Sequence, residues 1–233
     1  LKQRFPNAHI SFIGNTYTQS VVALSAHIHG FVNWDLLKQE PEPEQIRWLQ
    51  QARADWIIHV FPNRDIAKLA KKAGIPNRVG TSHRWFHWLT CNRMVHFSRR
   101  RSDRHEAQLN CRLLSPLGMI DIPPLADMHT YFGFSNRPAP SQTIQDAVDP
   151  SRFNLILHPK SKGSAREWGL SNFADLIDRL PEERYKIFVT GTREEGDAMR
   201  ELLNNAGPRV VDLTGTLDLR ELIALIALTD GMV

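Results

Sequence analysis

The feature that most restricts the fold is a rhythm in which short apolar runs alternate with amphipathic stretches, joined by brief connections. "AHISFIG" (8–14) and "FVNWD" (31–35) read as strands around the helical pattern "SVVALSAHI" (20–28). After "KQEPEPEQ", "IRWLQQA" suits a helix and "ADWIIHVFP" (54–62) a strand ended by proline. "RDIAKLAKKAG" is then a helix stopped at Gly74, and "RVGTS" a strand. Strands that alternate with helices pair in parallel, because a parallel crossover needs an intervening element to bring the chain back. An α/β fold with helices on both faces of parallel sheets is therefore predicted.

The second half repeats the rhythm. "FNLILHP" reads as a strand, "SNFADLIDRLP" as a helix with Ser171 as N-cap, and "YKIFVTGT" (185–192) as a strand. "REEGDAMRELLNNAG" follows as one helix closed by Gly207, then "RVVDLTG" as a strand and "DLRELIALIALTDG" as a helix capped by Asp218. Between the halves, residues 119–150 lose their periodicity and become rich in proline. The expected organisation is a first domain at 1–118, a linker at 119–150 and a second domain at 151–233. The chain opens without Met inside a helix-to-strand unit and stops at "DGMV" where a new strand begins, so both domains are expected to be incomplete.

Hydrophobic residues make up 42% of the 233 and charged residues 23%, which excludes disordered and fibrous classes. No run reaches the roughly 18 to 20 apolar residues that span a bilayer, and no signal peptide is recognisable, so a cytoplasmic protein is expected. Cys91 and Cys111 are too few for a disulfide framework or a zinc site and read as small buried hydrophobes. Ten histidines lack a matching carboxylate cluster, and no metal is expected. The net charge of +4 is concentrated: residues 78–112 hold eight arginines against Asp103 and Glu106. Such a segment suits phosphorylated partners, an anionic membrane surface or nucleic acid, or is a solvated face over core aromatics such as Trp85, Phe86 and Trp88.

Ligands of open parallel sheets bind beyond the carboxyl ends of the strands. "HPKSKGSAREWGLSNF" (158–173) occupies that position, between a strand and a helix. Either Lys160, Lys162 and Arg166 supply charge for a diphosphate, with Ser161, Gly163 and Ser164 permitting close backbone approach, or the loop is a solvated connection; composition alone supports both equally. The spacing is not that of a Walker loop. In "FVTGTREEG", Thr190 and Gly191 end a strand; Glu194 and Glu195 beyond them either accept from ribose hydroxyls or complement a helix dipole. Trp168 reads as a packing anchor more readily than as a base-stacking group.

"LILHPKSKGSAREWGLSNFADLIDRL", "KIFVTGTREEG" and "VVDLTGTLDLRELIALIALTDGMV" together resemble the second domain of glycosyltransferase family 9, the ADP-heptose:lipopolysaccharide heptosyltransferases. "LKQRFPNAHISFI", "ADWIIHVFP" and "AGIPNRVGTSHR" are similar to the family's acceptor-side domain. The resemblance implies a GT-B fold, two Rossmann-like domains facing each other, and an inverting transfer of heptose or a related sugar from a nucleoside diphosphate to a lipopolysaccharide core hydroxyl. It implies no metal and no cofactor beyond the donor substrate, ADP-heptose.

The same resemblance assigns roles by position. The family's phosphate-contacting lysine falls on Arg166 of "AREWG", where Gly169 replaces the usual proline. The donor set becomes Ser161, Lys162, Ser164, Arg166, Thr190, Gly191, Glu195 as ribose contact, and Leu217 within Thr214–Leu217 near the adenine. Arg84, Arg99, Arg100 and Arg101 become acceptor-side candidates. The family's general base lies in a glycine-rich N-terminal loop and its "D-T-G-x-x-H" segment follows "DGMV", so the chain by itself is expected to be inactive. The implied partners are a nucleotide sugar, a glycolipid acceptor and the cytoplasmic face of the inner membrane, with no nucleic acid. The competing expectation is a noncatalytic α/β module that uses residues 78–112 to bind nucleic acid or anionic membrane.

Overall fold

The computed structural model describes every residue except Arg100, Arg101, Lys162 and Ser164. Among the described residues the chain runs β1 (Ser11–Gly14), α1 (Gln19–Val22), β2 (Gly30–Asn33), α2 (Trp34–Leu37), α3 (Glu42–Gln51), β3 (Trp56–Ile58) and α4 (Arg64–Lys72). It continues with β4 (Asn77–Thr81), α5 (Trp85–Thr90), β5 (Arg93–Val95), α6 (Glu106–Cys111), α7 (Gln142–Ala147), β6 (Phe153–Leu157) and α8 (Leu170–Arg179). It ends with β7 (Tyr185–Val189), α9 (Arg193–Ala198), α10 (Arg200–Ala206), β8 (Val210–Asp212), α11 (Leu219–Leu228) and β9 (Gly231–Met232).

Two compact units result. Unit 1 comprises Leu1–Thr16 and His27–Gly133, and unit 2 comprises Tyr17–Ala26 and Phe134–Val233. The division at 133/134 lies inside the proline-rich stretch 119–150. That stretch is not featureless, since it contains a 3-10 turn at Leu125–Tyr131 and the helix α7. The long helix expected over 20–28 is reduced to α1. The Leu24 carbonyl is bonded instead by the amides of Ser135 and Asn136, both at 3.1 Å, and Ser25 bridges to Phe134. Those contacts place residues 17–26 in unit 2.

Every named strand pair is parallel. In unit 2 the strand order is β8-β7-β6-β9. Alternation along these strands feeds two cores, because successive side chains point to opposite faces. Leu155, Leu157, Ile187 and Val189 meet Phe173 and Ile177 of α8 together with Met199, Leu202 and Leu203. Ile156 and Phe188 point the other way, onto Ile144 of α7 and Leu225 of α11. Each fully buried aliphatic side chain of this kind stabilises by about 1.5 to 3 kcal/mol relative to exposure.

Three helix boundaries differ from expectation: α3 begins at Glu42, inside the stretch "KQEPEPEQ" read as a linker, and the other two lie in unit 2. Ser171 lies inside α8, and Gly169, at φ +96°, takes the capping position. The predicted single helix over 193–207 is broken at Met199, whose φ of −103° and ψ of 10° separate α9 from α10. The break lets the Met199 side chain reach zero exposure in the core beneath β6 and β7. Gly196, a weak helix former, precedes it by three residues and packs against Thr214, which a Cβ would strike at 2.2 Å.

Unit 1 contains a two-stranded sheet, β1-β2, and a three-stranded sheet, β3-β4-β5. Val32, Trp34, Leu37, Leu49 and Leu69 form one core, and Val79, Val95, Phe97, Leu109 and Leu113 another. Asn33 ends β2 and caps α2, and Asn63 caps α4, each accepting from two backbone amides. Gly74, at φ +78°, stops α4 as the sequence predicts.

Candidate functional site

The topology of unit 2 singles out one edge of its sheet. From β6 the chain builds outward through β7 to β8, then crosses back so that β9 pairs with the opposite side of β6. Strand order therefore reverses at β6, and the crevice beyond its carboxyl end is where open parallel sheets hold ligands. The loop that leaves β6 there is 158–169, and it leads into the N-terminus of α8.

Hydrogen bonds draw the neighbouring carboxyl ends together. The Thr190 amide donates to the Leu157 carbonyl at 3.0 Å, and the Gly215 amide donates to the Gly191 carbonyl at 2.9 Å. Thr190 is buried, and its Oγ1 lies 2.9 Å from His158 Nδ1. Gly191 has little room above it, since a Cβ would come within 3.3 Å of Glu195 Oε2. Gly215 has less: at φ +67° a Cβ would lie 2.9 Å from the Arg193 Cα.

Charges in the loop are unequally engaged. Lys160 pairs with Glu167, whose carboxylate also accepts from the Ser161 amide at 3.1 Å. The Lys160 ammonium and then the Ser161 amide hold the Glu167 carboxyl below its ordinary pKa. The Ser161 hydroxyl donates to the Ala165 carbonyl at 3.0 Å, which closes the turn. Arg166, by contrast, is exposed and makes no hydrogen bond or ion pair among the described residues. Lys162 and Ser164, both sequence candidates, lie outside the described residues. Trp168 stands 55% exposed with its ring edge-to-face against Phe173, so it is an anchor on one side and open on the other.

Glu195, expected near a ribose, is 8% exposed and completes a capping box. Its Oε2 accepts from the Thr192 amide at 2.7 Å, while Thr192 Oγ1 accepts from the Glu195 amide at 3.3 Å. This carboxylate serves the helix terminus, whatever else it touches. Leu217 packs against the Ile144–Leu225 core. Thr214 Oγ1 donates to Asp212 Oδ1 at 2.7 Å in the turn after β8.

In unit 1 the acceptor-side candidates are dispersed. Arg84 is exposed at the N-terminus of α5, whereas Arg99 is engaged by Glu106 at 2.7 Å, Asn110 at 3.0 Å and the Val60 carbonyl at 3.2 Å. Arg100 and Arg101 lie outside the described residues. Sequence reasoning missed a cavity of about 560 Å3 lined by His96, Arg104, Arg112, Met119 and Asp121 among others. Arg112 Nε is buried without a partner among the described residues. Its signal was spacing across a loop, which no local motif encodes.

Two buried histidines lie near the carboxyl ends of β3 and β4. His59 and His87 are 4% and 0% exposed, with ring centroids 5.4 Å apart. His87 Nδ1 accepts from the Thr81 amide at 2.9 Å, and both Nε2 atoms lack a partner among the described residues. Burial, then the neighbouring His87 and Arg78, push His59 down to about 4. Burial also depresses His87 and raises both thiols, Cys91 and Cys111. Among the described residues no cluster of three His, Cys, Asp or Glu is arranged to hold a metal, and no helix is long and apolar enough to cross a membrane.

Comparison with known proteins bears on this geometry. The profile of glycosyltransferase family 9 (heptosyltransferase) matches residues 45–233. A curated relative from Haemophilus influenzae, provisionally named a glycosyltransferase, is 26% identical over 215 residues, which are 88% of this chain and 61% of the relative. The chain thus spans about three fifths of that relative's length. ADP-heptose LPS heptosyltransferase II of E. coli superposes with a TM-score of 0.74 at 16% identity, over 99% of this chain and 71% of its own. A family 9 glycosyltransferase from Veillonella parvula gives 0.73 at 18%, over 99% and 67%. E. coli WaaC, solved with ADP-2-deoxy-2-fluoro heptose, gives 0.70 at 13%, over 99% and 74%. At these identities the superpositions speak for the fold, two α/β units with parallel sheets in the GT-B manner. With the profile spanning most of its length, the chain belongs to glycosyltransferase family 9, the heptosyltransferase family.

Proposed function

We propose that the whole protein is an inverting glycosyltransferase that moves a heptose or related sugar from a nucleoside diphosphate, ADP-heptose in the first instance, to a hydroxyl of a lipopolysaccharide core acceptor. The observation that carries this reading is the position of the 158–169 loop at the strand-order reversal, with Arg166 exposed and uncommitted among the described residues while its neighbour Lys160 is neutralised by Glu167. A guanidinium there offers two parallel N–H donors to a pyrophosphate.

In this scheme Arg166 and Lys162 oppose the charge that develops on the departing diphosphate. The hydroxyls of Ser161 and Ser164 and the strand ends at Thr190 and Gly191 border the phosphates, Glu195 the ribose and Leu217 the base. An acceptor oxygen attacks the anomeric carbon from the face opposite the diphosphate. A carboxylate takes the hydroxyl proton, the carbon–oxygen bond to the diphosphate breaks, and configuration inverts. No residue of this chain is assigned that base. On the acceptor side Arg84, Arg99, Arg100 and Arg101 are the phosphate-binding candidates, joined by Arg104 and Arg112 of the cavity. The proposed location is the cytoplasmic face of the inner membrane, where a lipid-linked acceptor would be met.

Thermal unfolding with ADP, UDP, GDP and a short oligonucleotide tests the donor site. ADP should raise the transition temperature, by linkage to the folded state, and Arg166→Ala should abolish the rise while leaving the unliganded transition in place. Stabilisation by the oligonucleotide alone, with steep salt dependence, would replace this reading by nucleic-acid binding.

A further inference from the structure

Helices α4 and α5 of unit 1 present two parallel stripes that the transfer scheme does not use. On α5, Trp85, Trp88 and Leu89 fall at i, i+3 and i+4 on one face and are 62%, 59% and 63% exposed. On α4, Arg64, Lys68 and Lys71 fall at i, i+4 and i+7, all exposed. The helices are tied at both ends: the Arg64 guanidinium lies 4.9 Å over the Trp85 ring, and Lys71 Nζ donates to the Leu89 carbonyl at 2.8 Å. Phe61, 89% exposed, lies just before the α4 N-terminus, and Arg84 adds positive charge before α5. Of the nearby acids, Glu42 is paired with Lys72, which leaves Asp65 of α4 opposing the cations.

We propose that this surface docks unit 1 on an anionic lipid bilayer. Indoles and a leucine beside a row of cations match an interface whose apolar layer lies just below negative headgroups. Nucleic acid is the weaker fit. One face of Trp85 is covered by Arg64, and Trp88 Nε1 is held by the Ser82 carbonyl at 3.0 Å, which restricts the rings as base-stacking platforms. The surface deepens the proposed membrane location, yet its binding to lipid needs neither donor nor acceptor.

Flotation of the chain with phosphatidylglycerol–phosphatidylethanolamine vesicles is the test. Binding is expected there and not with phosphatidylcholine alone, with loss at high salt and a blue shift of tryptophan emission. Lys68→Glu should lower partitioning at least about five-fold, the weight of one cation near such a surface. Leu89→Asn should lower it comparably, while Arg220→Glu in unit 2 should not. Urea unfolding followed by tryptophan emission, unchanged in the Lys68 and Leu89 variants, shows that unit 1 is folded, and because it needs no nucleotide it separates this test from the donor-site reading. Absence of flotation, or flotation unchanged in both variants, overturns the proposal. So does an oligonucleotide or a second copy of the chain that binds the parent but not Leu89→Asn while flotation is unaffected.

Discussion

Acidification should unfasten unit 1 through His59. In the folded chain this imidazole resists protonation down to about 4, because it is buried and faces His87 and the Arg78 charge; its ordinary pKa is near 6.5. The unfolded chain therefore binds more protons between those values, and stability present above about pH 6.5 is lost as pH falls toward about 4. Comparing about pH 7.5 with about pH 4.5, the two binding curves differ by about 2 to 3 kcal/mol, a large share of the 5 to 15 kcal/mol typical of a domain. His87, also depressed by burial, acts in the same direction. Urea unfolding followed by tryptophan emission reports mainly on unit 1, which holds Trp34, Trp48, Trp56, Trp85 and Trp88. His59→Phe, which fills the site without a titrating group, should flatten most of the acid dependence. The reasoning is refuted if parent and variant lose stability in parallel, or if an NMR titration finds the folded His59 protonating near its ordinary value.

Three smaller perturbations probe other parts of the structure. Gly215→Ala combines a left-handed φ with a Cβ against the Arg193 backbone, and should cost about 1 to 3 kcal/mol in chemical denaturation. Asp218→Ala removes the cap in which Asp218 Oδ1 accepts from the Glu221 amide at 2.8 Å, a loss of about 1 kcal/mol by the same measurement, while Asp218→Asn should retain most of it. Cys91 and Cys111, both raised by burial, should react with a neutral disulfide reagent more slowly than a free thiol at about pH 8 and reach its rate on addition of denaturant.

Legibility in the sequence followed interaction range. Gly74, the Asp218 cap and the strands at 153–157 and 185–189 are specified by neighbours within a few residues, and the structure has them as predicted. The break at Met199 was not legible, because it is enforced by a core most of whose other members come from the distant β6, β7 and α8. The same holds for residues 17–26, whose attachment to 134–136 spans more than a hundred positions, as in the Asn136 to Ala23 bond with a separation of 113. At the candidate site, the location and the charges of the loop were readable from strand, glycine and lysine. The neutralisation of Lys160 by Glu167 and the hydrogen bond of His158 to the buried Thr190 were not, since each is a side-chain pairing that the turn geometry selects.

The placement of β9 has a bearing on the order of assembly. β6 and β7 meet across a separation of 32 residues at His158 and Thr190, whereas Asn154 and Asp230 are 76 apart. The wider closure costs about 0.8 kcal/mol more in chain entropy, and a two-residue strand returns little hydrogen bonding in exchange. β6, β7 and β8 are thus set to condense first, with β9 added to a surface already formed. The crevice that opens beside β6 acquires its second wall at the final stage of folding, and a diphosphate bound there would act as a late template for that closure.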